Sequence, residues 1–367
     1  MKKNRVIAFH LPQFYPFKEN DEWWGKGFTE WTNVTKAKPR FKGHYQPHLP
    51  TDIGFYDLRV PEVRAEQAEM ARKYGIYGFC YYHYWFSGKP LMERPLEEIL
   101  NSGEPDFPFM LCWANHNWTR KWDGSINSVL IEQIYSKEDD VKHIRYLLPF
   151  LKDPRYIRIN GKPLITILST PSMPNADNTI RLWREEARKS GIDLYVCRTE
   201  VSKEIGKEYS TSEVDAAIEF SPHMSRGYSL PKTYKPIKRI INKFYRKFFN
   251  KNLFMMPALK YLDYVNFQEK RIFPKEYKYY PSVTPSWDNT ARCKSDAHPL
   301  IWDGSTPELF EKWLRSVIEK FNPYSDEENL IFINAWNEWA EGNHLEPDIK
   351  WGYGYLEAVK RVLEVYQ

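Results

Sequence analysis

Short apolar runs alternate with helix-like stretches along almost the whole chain, and this alternation limits the possible folds more than any other feature. The runs are four to six residues long. They are rich in β-branched or aromatic side chains and are bounded by Gly, Pro or Asn, as buried parallel strands are. The eight runs are Val6–Phe9, Tyr77–Tyr82, Phe109–Trp113, Leu164–Leu168, Leu194–Cys197, Ala216–Phe220, Ser282–Pro285 and Leu330–Ala335.

Stretches with helical periodicity separate most of these runs. The stretch Pro61–Tyr74 opens with a proline in its first turn and closes on Gly75, a common pairing of start and stop residues. Strand–helix alternation repeated eight times predicts an α/β fold, the (β/α)8 TIM barrel. A doubly wound open sheet is the alternative. No G-x-G-x-x-G follows the first run, which weakens the dinucleotide-binding form of that alternative.

Two segments are longer than a minimal barrel needs. Residues 14–60 follow the first predicted strand as a long loop, and residues 223–280 follow the sixth as a larger, basic insertion. The sequence shows no internal repeat and no low-complexity linker. We therefore interpret residues 1–367 as a single catalytic domain with two insertions.

The composition is that of a soluble globular protein, with 42% hydrophobic and 28% charged residues. No apolar run approaches the roughly 20 residues that span a bilayer, and the start does not resemble a signal peptide, so we expect a cytoplasmic protein. The four cysteines are far apart, which favours reduced thiols over disulfides. The net charge of +5 gives no reason to expect nucleic acid as a partner.

Aromatic residues make up 16% of the chain, and many stand with polar residues where the predicted strands end. In a parallel barrel those ends build the active site. Aromatic faces stack on the apolar faces of sugar rings, so this position favours a sugar-binding cleft over a merely aromatic core. The candidate substrate-binding residues there are His10, Gln13, Tyr82, His83, Trp85, Trp113, Asn115, His116 and Trp287.

The strongest motif follows the eighth predicted strand and contains two glutamates three residues apart, Glu338 and Glu341. Glycoside cleavage needs one carboxylic acid to protonate the leaving oxygen and one carboxylate for the complementary role. Acidic residues at a solvated helix start are the alternative. The position after the last strand favours chemistry, and we predict these two residues as the catalytic pair. Trp336, Asn337 and Trp339 are predicted to bind substrate beside them.

The motif Asn337-Glu-Trp-x-Glu-Gly342, followed by Glu346-Pro347, resembles the catalytic signature of glycoside hydrolase family 99, the endo-α-mannosidase group. The whole chain is still more similar to the WbsX-type proteins of bacterial surface-polysaccharide (O-antigen and capsule) gene clusters. The supporting blocks are Ala8-Phe-His-Leu-Pro-Gln-Phe-Tyr-Pro16, Trp24-Gly-Lys-Gly-Phe-Thr-Glu-Trp-Thr-Asn33, His44-Tyr-Gln-Pro-His48, Gly78-Phe-Cys-Tyr-Tyr-His-Tyr-Trp85 and Cys112-Trp-Ala-Asn-His-Asn-Trp118.

This resemblance implies a (β/α)8 barrel and a retaining mechanism in which the 2-hydroxyl of the substrate attacks the anomeric carbon and forms a 1,2-anhydro sugar. Glu338 then corresponds to the base for the 2-hydroxyl. Glu341 corresponds to the acid/base that protonates the leaving group and activates water. His10, Tyr82 and His83 would line the donor-sugar subsite. The implied substrate is a bacterial surface polysaccharide or a lipid-linked oligosaccharide.

Two other functions stay open. WbsX-type proteins have often been labelled glycosyltransferases of polysaccharide (O-antigen or capsule) biosynthesis, but a sugar-nucleotide transferase needs a diphosphate site, and the sequence contains no Asp-x-Asp. A non-catalytic carbohydrate-binding protein could use the same aromatic cleft. We expect no cofactor and no metal. His44 and His48 are four residues apart, but Pro47 between them argues against a helix that would align them.

Residues 232–251 form a basic and aromatic segment inside the second insertion. They include eight lysines or arginines, no acidic residue, and apolar side chains at helical spacing. Such a helix can lie at a membrane interface and attract anionic lipid, at about 1 kcal/mol per basic residue. A helix packed on the barrel with a solvated basic face is the alternative. The first interpretation predicts peripheral contact with the inner face of the membrane.

Overall fold

The computed structural model describes residues 4–119, 129–201, 213–222, 258–293 and 300–366, and five further positions at 240, 241, 244, 245 and 248. Among these residues no helix is both long and apolar enough to cross a membrane. All four cysteines are free thiols, and three of them are buried.

Eight parallel strands close into a barrel. They are Arg5–His10, Gly78–Phe86, Phe109–Trp113, Lys162–Ile167, Tyr195–Glu200, Ala216–Glu219, a seventh strand in two parts (Tyr279–Tyr280 and Ser282–Val283) and Leu330–Ile333. Successive strands pair in parallel, and the first also pairs with the eighth. The two parts of the seventh strand pair with the sixth and the eighth. They divide at Pro281, which has no N–H for a ladder hydrogen bond. The predicted (β/α)8 barrel is confirmed.

Helices cover the barrel after seven of the eight strands, as far as the described residues show. They are Pro61–Lys73, Arg94–Ser102, Lys137–Lys152, Ala176–Arg188, Tyr261–Lys270, Pro307–Lys320 and Gly354–Tyr366. Local sequence sets several helix starts. The side chains of Ser136, Asn175 and Thr306 each accept a hydrogen bond from the backbone N–H three residues later, and so cap the first turn.

The two predicted insertions contain more regular structure than expected. Residues 14–60 include the short helices Lys18–Trp24 and Glu30–Lys36. Residues 223–280 include the barrel helix Tyr261–Lys270 and the first part of the seventh strand, so the extra portion of that segment is shorter than predicted. The first part of the seventh strand, Tyr279–Tyr280, is only two residues long and precedes a proline. The sequence there does not distinguish a strand from a loop.

Five positions of the basic segment 232–251 are described. They are helical, and Ile240, Phe244 and Phe248 are exposed there. The eight basic residues of the segment lie outside the described residues. Membrane contact through this segment stays a prediction.

Side chains alternate along each strand between the barrel interior and the surrounding helices. Phe9 packs inside the barrel against Tyr82 of the second strand and Phe332 of the eighth. His10, one residue later, contacts Gln67 of the first covering helix. On the second strand, even-numbered positions therefore face inward and odd-numbered positions face the helices. This alternation decides which residues can reach a ligand inside the barrel mouth.

Candidate active site

The chain that leaves the eighth strand forms a short hairpin carrying both predicted catalytic glutamates. Residues 337–338 pair antiparallel with residues 343–344, and one 3-10 turn, Trp339–Glu341, connects them. Gly342 ends the turn with a φ of +56°, a conformation that favours glycine. The tight turn holds Glu338 and Glu341 close together.

Arg292, in the loop after the seventh strand, binds three buried carboxyl groups at once. Its Nη2 donates to Glu338 Oε2 at 2.7 Å and also to Glu30 Oε1. Its Nη1 donates to Glu341 Oε1 at 2.5 Å. None of the three glutamates is more than 9% exposed. One guanidinium therefore compensates three acids, and full ionisation of all three would leave an excess of buried negative charge.

This environment raises the pKa of both hairpin glutamates. Burial raises the pKa of Glu338 to about 8; the positive charge of Arg292 opposes this effect and the negative charges of Glu341 and Glu30 add to it. Burial also raises the pKa of Glu341, again against the charge of Arg292. The cluster therefore retains a proton near neutral pH. A site that needs one acid and one base requires such a state.

The other predicted residues of the motif, Trp336, Asn337 and Trp339, are buried and bonded within the protein. Trp336 Nε1 and Trp339 Nε1 donate to Glu346 at 2.9 and 2.6 Å, and both rings are buried. Asn337 bonds the backbone N–H and C=O of Leu11, which ties the hairpin to the end of the first strand. Direct contact of Trp336, Asn337 and Trp339 with a sugar stays a prediction.

Two tyrosines of the second strand point into the barrel near the acids. Burial raises the pKa of Tyr82 and Tyr84 well above its usual value, and the charge of Glu338 adds to this effect. Both hydroxyls therefore remain protonated and can donate hydrogen bonds. Tyr84 contacts Trp118, which in turn contacts Trp23. These two indole rings are partly exposed and offer an aromatic surface beside the tyrosines.

Four predicted substrate-binding residues lie on the outer face of the barrel, against the helices: His10, His83, Trp85 and Trp113. His83 lies 2.9 Å from His143 of the third covering helix. Trp85 stacks on the same histidine and donates to Asp139. The structure does not bring these four residues to the acid pair, because each stands one position away from an inward-facing residue.

The remaining predicted residues lie in the segments beyond the ends of the barrel strands. Gln13 is partly buried and donates to Asn20 at 3.4 Å. Asn115 is buried and bonds the backbone of Ser169, so it holds two neighbouring loops together. His116 is exposed. Trp287 is partly buried and lines a cavity of about 200 Å³ on the other side of the hairpin.

Several residues around the acids were not predicted from the sequence. Glu30 and Arg292 come from the loops after the first and seventh strands, and only closure of the barrel brings them to the hairpin. The sequence spacing of Glu30 and Arg292 relative to the glutamate motif does not indicate their role. Tyr84 could have been found, because it lies two residues after Tyr82 and so shares its face of the strand.

Among the residues that the structure describes, one group of side chains could hold a metal ion, although none was expected. His48, His344 and Asp348 are buried, and their ligand atoms lie within 4.8 Å of one another. His44, which stands four residues before His48 in the sequence, does not belong to this group. Its Nε2 lies 2.6 Å from Asp288 Oδ2.

A closed eight-stranded barrel with buried acids beyond its last strand defines a (β/α)8-barrel protein. Its family follows from the sequence: the model of the family described as "Glycosyltransferase WbsX" matches residues 6–359. The chain belongs to the WbsX family. The Xanthomonas campestris pv. campestris protein WxcX, described as uncharacterized, is 39% identical over 365 residues, which cover 98% of this chain and 49% of that protein. The chain thus spans about half the length of the curated relatives it matches.

Solved structures share the fold over nearly the whole chain. One described as a glycoside hydrolase-like protein has a TM-score of 0.60 at 15% identity, covering 99% of this chain and 94% of that chain. A family 99 endo-α-mannosidase from Bacteroides thetaiotaomicron has a TM-score of 0.56 at 15% identity, covering 100% of this chain and 98% of that chain. At this identity the similarity concerns the fold alone.

Proposed function

We propose that the chain is a retaining glycoside-bond enzyme, a hydrolase or transglycosidase, acting on a bacterial surface polysaccharide or a lipid-linked oligosaccharide. The observation that carries this proposal is the buried pair Glu338 and Glu341 on one guanidinium beyond the last barrel strand. Barrels of this kind place their chemistry at that end. The fold shared with an endo-α-mannosidase and the membership of the WbsX family support it.

In the proposed first step the ionised form of Glu338 takes the proton of the substrate's 2-hydroxyl, and the raised pKa of this group makes it a stronger base. That oxygen attacks the anomeric carbon while the glycosidic bond breaks, and Glu341 gives its proton to the leaving oxygen. The product is a 1,2-anhydro sugar. In the second step Glu341 deprotonates water or an acceptor hydroxyl, which attacks the anomeric carbon, and Glu338 returns its proton to the sugar oxygen. Two successive displacements restore the original configuration.

Aromatic and phenolic side chains supply the proposed sugar contacts. The partly exposed rings of Trp23 and Trp118 can stack on the apolar face of a sugar, and the neutral hydroxyls of Tyr82 and Tyr84 can donate to its oxygens. Tyr84 connects this aromatic surface to the acids. Its ring contacts Trp118, and the charge of Glu338 is near enough to raise the pKa of its hydroxyl.

A nucleotide-sugar-dependent glycosyltransferase is the second candidate, and the description of the family favours it. The transferred sugar would then leave a diphosphate. The acid cluster around Arg292 holds more carboxyl groups than positive charges, which disfavours a dianionic leaving group there. Saturable binding of a sugar nucleotide, with turnover only from that donor, would support this candidate.

Glutamine substitutions of the two acids test the leading proposal. We expect E338Q and E341Q each to lower turnover of a glycan substrate by about 10²–10⁴-fold, because each loses a proton-transfer group. The assay is a panel of defined oligosaccharides and lipid-linked glycans. E364Q is the matched control, since the side chain of Glu364 is 60% exposed, and it should turn over like the unmodified protein.

A glycosyl fluoride distinguishes the two roles. Fluoride leaves without protonation, so E341Q should still release it while E338Q should not. Wild-type turnover by both glutamine variants, with folding intact, would refute the proposed pair.

A further inference from the structure

On the other side of the catalytic hairpin, three buried side chains present the kinds of ligand atom that transition metals prefer. His48 comes from the long first loop, His344 from the hairpin and Asp348 from the segment after it. The two histidines are 296 residues apart in sequence. No local spacing motif could therefore indicate this group, and only the closed fold assembles it.

The distances between these atoms suit a single ion. His48 Nδ1 lies 3.0 Å from His344 Nε2, and His344 Nε2 lies 3.7 Å from Asp348 Oδ2. Zinc binds imidazole nitrogen and carboxylate oxygen at about 2.0–2.2 Å, which separates neighbouring ligand atoms by about 3.3–3.6 Å in a tetrahedral site. All three ligand atoms lie within 4.8 Å of one another, so the side chains need to draw closer to bind one ion.

A hydrogen bond fixes which ring nitrogen of His344 carries the proton, and this tautomer favours binding of a cation. Its Nδ1 lies 2.9 Å from the backbone oxygen of Glu346. A carbonyl oxygen only accepts, so Nδ1 carries the proton and Nε2 presents a lone pair. Metal-binding histidines have this arrangement. The lone pair of Nε2 lies 3.0 Å from His48 Nδ1, whose N–H can donate to it, and 3.7 Å from Asp348 Oδ2. A bound cation would replace the proton of His48 Nδ1 and accept all three lone pairs.

We propose that His48, His344 and Asp348 bind one divalent transition-metal ion of the zinc class. Two imidazoles favour zinc over magnesium or calcium, which prefer oxygen ligands. Three protein ligands leave one coordination position for water or a ligand group. The cavity of about 200 Å³ lined by all three residues, together with Trp287 and Trp302, gives space for that group.

The ion connects the first loop to the hairpin that carries the acids. His344 pairs with Asn337 in the hairpin, and its ring stacks on Trp339 with the ring centroids 3.7 Å apart. Metal binding therefore restrains the strand that positions Glu338. The three ligands act as positioning residues, and their binding of metal does not depend on the proposed glycoside chemistry.

Cobalt titration of the chelator-treated protein tests this site, because Co²⁺ replaces zinc and reports its coordination through visible absorption. We expect one equivalent of Co²⁺ per chain and a higher thermal midpoint when the ion is bound. H48A and D348N should each weaken binding at least about 10-fold. H116A, which removes an exposed histidine, is the matched control and should bind like the unmodified protein.

Failure of the folded, unmodified protein to bind either Co²⁺ or Zn²⁺ would overturn the proposal. Undiminished binding by a folded H48A/D348N double variant would also overturn it, since the ion would then occupy another place. Metal content is measured without turnover. A negative result here therefore leaves the proposed acid pair untouched, and a failure of the acid pair leaves this site untouched.

Discussion

The raised pKa of Glu338 comes from its surroundings. Glu338 is 6% exposed and shares the guanidinium of Arg292 with Glu30 and Glu341. Water cannot solvate the charge of its carboxylate. One guanidinium that is shared by three carboxyl groups compensates that charge poorly. The protonated form of Glu338 is therefore favoured in the folded protein. This links the acid's protonation to the free energy of unfolding.

The stability of the protein should consequently depend on pH through Glu338. Folding raises the pKa of this group from 4.5 to about 8. Between these values the folded protein holds a proton that the unfolded chain has released, so this stabilising contribution is complete below pH 4.5 and is lost as the pH rises towards 8. The loss amounts to at most about 1.4 kcal/mol per pH unit. E338Q stays neutral and should not show it.

Urea unfolding at pH 5, 6.5 and 8 measures this effect. The unfolding free energy of E338Q relative to the unmodified protein should increase as the pH is raised. E364Q, at a largely exposed position, should keep a constant difference. A constant difference for E338Q would show that burial does not shift its pKa as described.

Among the elements, the hairpin after the eighth strand depends most on one backbone conformation. Gly342 has a φ of +56°, and a Cβ there would lie 3.0 Å from the Cβ of Asp288 and 3.2 Å from its backbone nitrogen and oxygen. Residues other than glycine rarely adopt this left-handed backbone conformation, and the backbone of Asp288 cannot easily move away. The hairpin therefore needs glycine for two separate reasons.

We expect G342A to lower the free energy of unfolding by about 2–4 kcal/mol, from the left-handed conformation together with the crowding. G191A is the matched control, because Gly191 has a φ of +74° but a Cβ added there would meet nothing within 4 Å. It should lose only about 1–2 kcal/mol. Chemical denaturation of both variants measures the difference. Equal losses would mean that the contact with Asp288 contributes nothing.

The same elements show where sequence reasoning reaches its limit. The apolar runs locate the barrel strands except for the first part of the seventh, yet they do not reveal which of two neighbouring side chains faces inward. Tyr82 and His83 are adjacent, and both are buried. Strands covered by helices on one face and closed into a barrel on the other are apolar on both faces. Register against the neighbouring strands, which only the fold supplies, decides that Tyr82 faces the acids.

For the whole molecule, the alternation of strands and helices was enough to predict the barrel. The position after the last strand was enough to predict that Glu338 and Glu341 lie close together beyond that strand, and their catalytic role stays a prediction. Closure of the barrel forms the contacts that the sequence did not predict. It brings Glu30 and Arg292, which are 262 residues apart, into one ion pair, and His48 against His344. Such contacts depend on the path of the whole chain, so spacing within a motif cannot predict them.

Glu338 and Glu341 are proposed to act together on a glycosidic bond through the substrate's own 2-hydroxyl. Proton NMR of the first product formed from a cleaved glycan tests this proposal most directly, because the anomeric configuration records the number of displacements. We predict that the product keeps the configuration of the substrate, and that a substrate with its 2-hydroxyl replaced by hydrogen is not turned over. A product of inverted configuration would contradict the two-step mechanism.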